Sequence, residues 1–533
     1  MSELFDAVNA FFAFIVPISD FLWEFPTNFE WYAQIPVLGN FALSILILAG
    51  AGIYFTIKTR FVQVKRFSRS IKIVANRQAT ETGISPFAAF MLSSAMRVGP
   101  GNIMGVTGAV SVGGPGAIFW MYVMALFGMA TGFTEAVLAQ LFKEKKGDEY
   151  VGGLPFYGMK IIGNKKWVGI VLALLFIIYA LFNVPSQTFH LFTALGSVAN
   201  TLGNTTYDRT SPVYYAIGIV LIVAIAALVL GGMKRVTKFT DICVPVMAVV
   251  YCGIVFILII VNYRSIPYFF SAVIGGAFSP EAIFGGLFGV ALQQGIKRGL
   301  MANEAGQGTI TMAASAASNK HPIDQGLVQS MGVFFDTFII CSMAGFVVVM
   351  AHVWTGDTGV AWDAIRDDKL GVYMLSAQTL APGVAMDSAV KVILSICYAL
   401  FAFTTLIGMI IFAEISANMI SKDKKFIMGI RLLGSLFFVP FGVLTVLANL
   451  QLGNIWYLVD LMNIFLVFIN VPIILKGSKY VFKALEHYNR TDGKEGFVSA
   501  RDIGLETSYW TEEAQLARDQ FHSKQEESRK SVS

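Results

Sequence analysis

The sequence predicts an all-α, polytopic membrane protein: eleven transmembrane helices, the last ten forming a 5+5 inverted repeat, with the N-terminus out and the C-terminus in. Three observations predict it: the composition, the alternation of apolar segments with basic connections, and one residue pattern recurring at a fixed offset. Of the 533 residues, 56% are hydrophobic and 14% charged, and the mean hydropathy is +0.66. That balance lies outside the soluble range. The four cysteines, Cys243, Cys252, Cys341 and Cys397, sit singly inside apolar segments. They read as small core hydrophobes rather than as disulfides or metal ligands.

Residues 1–40 carry five acids and no Lys or Arg, whereas 58–77 carry Lys58, Arg60, Lys65, Arg66, Arg69, Lys72 and Arg77 with no acid. Positive charge stays inside, so the N-terminus faces out. It lacks the basic start of a cleavable signal and is expected to be retained. Apolar segments of about 20 residues, the length a bilayer crossing needs, fall at 39–57, 85–111, 115–142, 168–196, 213–231, 240–262, 283–317, 325–351, 386–415, 426–449 and 454–475. Lys143 to Lys146, Lys160 to Lys166, Lys234 with Arg235, Lys320, and Lys422 to Lys425 occupy every second connection. Connections 197–212 and 352–384 are poorer in base. The expected divisions are 1–82 (first helix and basic loop), 83–282 and 283–475 (the two repeats), and 476–533, a charged, solvated cytoplasmic tail in which Glu512 to Lys530 can form a soluble helix. A plasma or inner membrane is the expected location, with the lipid bilayer as a partner.

The stretch Ser93 to Gly105 lies mid-span and contains Gly99, Pro100 and Gly101 in a row. These residues break i to i−4 bonding. Within a membrane such a break persists only where the freed amides and carbonyls find partners. Shifting by 201 residues places Arg97, Asn102 and Gly105 on Arg298, Asn303 and Gly306, the shared pattern being R-x4-N-x2-G. The same offset carries Phe133 and Glu135 onto Phe334 and Asp336. Each copy then spans five helices, and an odd number inverts the second copy relative to the first. An inverted repeat with interrupted first helices is the architecture of a secondary transporter, with solute and ion held at the breaks. Half-helix N-termini hold a carboxylate there, and unwound carbonyls hold a cation.

Asn102 offers a neutral side-chain oxygen beside open backbone, suited to completing a Na+ shell; the alternative is an Asn that only bonds the broken backbone. In the second break Gly299, Ala302, Asn303, Glu304, Gly306, Gly308 and Thr309 give small residues with one acid. Glu304 must be paired or functional at that depth, and pairing with Arg97 or Arg298 competes with ligand contact; Glu135 and Asp336 are expected to join these arginines in structural charge pairs. The fourth helix carries Asn183, Ser186, Gln187, Thr188 and His190. Ser186 and His190 lack an orienting acid and an oxyanion hole, so enzyme chemistry is not expected. Gln187 reads as a solute contact and His190 as structural. Thr404 and Thr405 can supply cation oxygens or bond back to their own helix. Gln325, Gln329 and Asp336 share one helix face, toward the bundle interior. Proton coupling and a passive channel are the competing functions.

The chain resembles the alanine/glycine:cation symporters, the sodium:alanine symporters. The resemblance rests on Arg97-Val98-Gly99 to Gly105, Gly113-Gly114-Pro115-Gly116-Ala117-Ile118-Phe119-Trp120-Met121, Gly128-Met129-Ala130-Thr131, Arg298-Gly299-Leu300, Asn303-Glu304-Ala305-Gly306 and Gln325-Gly326-Leu327-Val328-Gln329. It covers about residues 40–475 and implies a leucine-transporter-like fold. It further implies a sodium site from the Ala95 and Val98 carbonyls with Thr404 and Thr405, and an amino acid surrounded by Gly99, Gly101, Asn102, Asn303 and Gly306, with Gln187, Ala302 and Gln307 also at the substrate site. Sodium would be the coupling ion, with no cofactor and no nucleic-acid partner. Where the family usually has Thr, Ser and Met, this chain has Pro100, Ala302 and Gln307. The implied substrate is a small neutral amino acid, alanine or glycine first, and Gln307 leaves room for a larger amide such as glutamine.

Overall fold

The computed structural model describes residues 7, 9–35, 38–75, 82–278, 287–353, 368–448, 453–516, 518 and 520. In chain order, α1 (Ile15–Glu24) and α2 (Leu43–Lys58) precede two short helices in line, α3 (Pro86–Arg97) and α4 (Pro100–Gly113). Then come α5 (Gly116–Leu141), the hairpin β1 (Glu144–Lys146) and β2 (Glu149–Val151), α6 (Lys166–Leu202), α7 (Pro212–Val229) and α8 (Gly232–Val261). The second half holds α9 (Leu287–Ala302), α10 (Thr311–Ala316), α11 (Pro322–Met350), α12 (Val384–Ala417), α13 (Lys424–Leu447) and α14 (Gly453–Thr491). β1 and β2 pair antiparallel, with Lys145 opposite Tyr150.

Among the described residues, eight helices are long and apolar enough to cross a bilayer: α5 to α8 and α11 to α14. The predicted first span is the shorter α2, and the second and seventh are the interrupted pairs α3/α4 and α9/α10. Residues 283–286, 354–367 and 521–533, which include the start of the seventh span and most of the expected Glu512 to Lys530 helix, lie outside the described residues. The apolar N-terminal helix α1, which lies along α14, and the helices Ile266–Phe278 and Lys369–Leu380 in the connections were not anticipated.

The two interrupted spans pack against each other through α4 and α9, although the 201-residue offset relates α9 to α3 rather than to α4; α5 packs on α11 and α6 on α12. Around this core α7 and α8 turn apolar side chains outward, with Ile219, Val220, Val223, Ile242, Val246 and Val249 all more than half exposed. So much exposed aliphatic surface is stable against lipid rather than water. α14 does not stop at 475, where hydrophobicity falls, but runs on to Thr491. The tail is not a free extension either: Phe497 and Trp510 are fully buried against the bundle.

Candidate functional site

The first break is wired by Asn102. Pro100 opens α4 at a position where a missing N–H costs nothing, but that missing donor leaves the Met96 carbonyl without its helical partner. The Gly99 N–H is diverted as well, donating to Asn102 Oδ1 at 2.9 Å. Ala95, which Gly99 would cap in a continuous helix, therefore keeps a free carbonyl. That carbonyl accepts from the Thr405 hydroxyl on α12 at 3.2 Å. The approach is close, since a Cβ on Gly99 would lie 2.7 Å from Thr405 Oγ1.

The structure thus brings Ala95, Gly99 and Thr405 together across two helices. Val98 ends α3 with ψ 85 and is buried beside them. Thr404 is buried too, and its hydroxyl donates to the Phe401 carbonyl of its own helix at 3.1 Å. Thr405 makes the same kind of bond, to Phe401 at 2.9 Å. Gly101 is in the first turn of α4 with nothing within 4 Å of its Cβ position.

The second break runs from Asn303 to Ile310, between α9 and α10. Its turns need left-handed backbone: Gly306 has φ 93, Gly308 φ 81 and Glu304, without a glycine's freedom, φ 56. Asn303 closes the end of α9, donating to Gly299 O at 2.6 Å and accepting from Ala305 N at 3.1 Å. Asn102 and Asn303, 201 residues apart, therefore do different work, because the first span breaks directly after Arg97 and the second only after Ala302. Ala302 is half-buried. Gln307 is fully buried, and its amide nitrogen lies 4.0 Å from the Met301 sulfur.

Each break is held by a carboxylate from the other half of the chain. Glu135 on α5 accepts from the N–H groups of Gly306 and Gly308, both at 2.9 Å, and from Asn470 on α14 at 2.5 Å. Asn470 also donates to Gly306 O and accepts from Tyr157. Asp336 on α11 accepts from Asn102 Nδ2 at 2.5 Å, in a stretch of wide, π-type turns (Phe335–Cys341). Such turns recur at functional sites.

The expected charge pairs take another form. Glu304 accepts from Thr309 at 2.8 Å, and among the described residues no ion pair joins it, Glu135 or Asp336 to Arg97 or Arg298. Arg97 points at Gly332 on α11, where a Cβ would sit 1.9 Å from its Nη1; its guanidinium is buried with no hydrogen bond among the described residues. Arg298 lies over Gly105 and Gly108 of α4. Gln187, half-buried, donates to Asn183 one turn away at 3.0 Å. His190 bonds the Tyr398 hydroxyl at 3.1 Å, tying α6 to α12.

Buried carbonyls and hydroxyls thus meet at one break, and small residues and an amide at the other. Residues 30–500 match the Sodium:alanine symporter family. The chain belongs to that family. It is a secondary transporter, an amino-acid symporter of the multi-pass membrane class, and not an enzyme. Among its relatives, "Probable sodium/glutamine symporter GlnT" of Bacillus subtilis is 35% identical over 84% of this chain and 88% of its own length. "Amino-acid carrier protein AlsT" of the same organism is 31% identical over 96% and 100%. "Sodium/alanine symporter AgcS" of Methanococcus maripaludis is 36% identical over 58% and 67%. Among solved structures, MhsT in complex with L-phenylalanine superposes with a TM-score of 0.55 at 14% identity, covering 82% of this chain and 96% of that one. That likeness shows a leucine-transporter-like fold.

Proposed function

We propose that this symporter imports a small neutral amino acid such as alanine or glycine, driven by sodium, by alternating access in the cell membrane. Eleven spans, an inverted repeat with the divisions 83–282 and 283–475, and an N-out, C-in orientation are part of this reading. The shared R-x4-N-x2-G pattern at one offset, with a break in each matching span, supports the repeat. The observation that carries the reading is the Ala95 carbonyl, freed by the diversion of the Gly99 N–H to Asn102 and facing Thr405. With Val98 and Thr404, it supplies neutral oxygens of the hard kind that Na+ takes. The amino acid would lie against Gly99, Gly101, Asn102, Gln187, Ala302, Asn303, Gly306 and Gln307, with the N-terminus of α4 toward its carboxylate. Only sodium, and no cofactor, is needed.

Glutamine is a second reading, favoured by the Gln307 amide, which has no oxygen or nitrogen partner among the described residues. An amide substrate would offer that amide a stronger partner than the Met301 sulfur. Proteoliposomes with an inward sodium gradient test both. Accumulation of labelled alanine or glycine above a gradient-free control supports the first reading, and preference for glutamine supports the second. No accumulation of any of the three overturns both, and uptake that follows a pH gradient without sodium replaces sodium by protons.

A further inference from the structure

The tail after Thr491 folds back to the end of the bundle where α5 stops. Ser499 N–H donates to Trp510 O at 2.9 Å, making a compact turn. Trp510 Nε1 then donates to Gln140 O at 2.7 Å, and the Ser508 hydroxyl to Lys143 O at 3.2 Å. Lys143 is itself fully buried. Its ammonium donates to Gln140 Oε1 at 2.9 Å and Ala317 O at 2.6 Å. It also lies 4.2 Å from the ring centroids of Tyr150 and Tyr509 and 5.5 Å from that of Trp510.

This enclosure holds moving parts. Gln140 donates to the Ala314 and Ala317 carbonyls, so with Lys143 it grips the end of α10. Ile84, just before α3, is paired to the same end, its N–H to Ala316 O at 3.1 Å and its carbonyl to Ser318 N–H at 2.8 Å. A second chain of bonds anchors the tail to α11. The Ile323 N–H donates to His321 Nδ1 at 3.1 Å, His321 Nε2 meets His487 Nδ1 at 3.3 Å, and His487 Nε2 meets Asp502 Oδ2 at 3.5 Å.

A lysine at a helix end ordinarily reaches out to water. Here water is kept out by Tyr509 and Trp510, both brought by the tail. Without those rings the ammonium regains hydration and no longer depends on the Ala317 carbonyl.

We propose that residues 497–516 form an inner latch: by enclosing Lys143 they hold the ends of the half-helices α3 and α10 together and stabilise the state closed to the cytoplasm. The latch rests on the alternating-access reading, but its test needs no transport. Ser315, buried at the inner end of α10, is changed to Cys in a chain whose four cysteines are replaced. Labelling by a membrane-impermeant maleimide is followed in substrate-free inside-out vesicles. Trp510→Ala, and separately truncation after Gly496, should each speed labelling about thirtyfold, the scale of one desolvated cation–π contact. Tyr509→Leu, which removes one ring and leaves Trp510 in place, should give a smaller acceleration and serves if the stronger variants do not reach the membrane. Labelling unchanged or slowed in whichever variants reach the membrane overturns the latch. Sodium-driven uptake in the same vesicles keeps the ideas apart: failed uptake with tail-dependent labelling removes the transport reading, and intact uptake with tail-independent labelling removes only the latch.

Discussion

Asn102 shows how much one amide can decide. Its oxygen takes the Gly99 N–H and its nitrogen serves Asp336, a pair of roles neither an acid nor an alkyl group can fill. Asn102→Asp keeps the acceptor but sets a second carboxylate against Asp336. It should lower sodium-driven uptake at least about tenfold, the effect of losing one charge-assisted bond. Asn102→Ala strands both partners and should cost about 2 kcal/mol of stability, read as a lower thermal midpoint in detergent. Thr405 is a sharper probe of the ion, since Thr405→Val keeps the shape. The sodium concentration for half-maximal uptake should rise about tenfold, while Thr405→Ser, which keeps the hydroxyl, stays within about twofold; equal values for the two would take Thr405 out of the ion site. Glycine and proline made the break legible in the sequence. The partner of Asn102, 234 residues away, was not, because which face of α11 meets α4 is a matter of packing.

At the scale of elements, each broken helix is held by the helix after the other break. Glu135 and Asp336 fall at one offset in the sequence, so their equivalence was legible, but their partners were expected to be arginines. Backbone N–H groups freed by the turn at Gly306 and Gly308 took Glu135 instead, because a buried donor left unpaired costs as much as a lost bond. Glu135→Gln tests this. A glutamine has one acceptor oxygen for two glycine donors, and its NH2 must face one of them. Uptake should fall at least about tenfold with α10 less protected from hydrogen exchange, and Glu135→Asp should recover little, being one methylene short. Full uptake in the glutamine variant would show that the second break holds itself.

For the whole molecule, charge and apolar spacing were enough to point to a helical, multi-pass membrane protein, yet the tail was misread. Its many charges hide Phe497, Tyr509 and Trp510, aromatic residues that a purely solvated segment has no use for; that was the available signal. The docking has a consequence for pH. Burial, then His487, pushes His321 well below the usual histidine pKa, with Arg518 acting the same way and Asp502 opposing. Tyr488 also packs on His321 and is bonded to Asp324 and Arg69, while Arg490, Glu495 and Arg501 act on His487. The latched state therefore binds fewer protons than the released one. For a base with a lowered pKa, the stabilisation is complete above the ordinary value and is lost as pH falls through about 6.5. Acid on the cytoplasmic face should open the latch. The thiol's own titration is cancelled by taking the labelling rate of Ser315→Cys in the full chain relative to the chain truncated after Gly496. That ratio should be small at about pH 7.5 and approach one at about pH 5.5. His321→Asn, which can still cap α11 but cannot titrate, should flatten the change. A ratio that stays constant between the two pH values would leave the latch insensitive to protons.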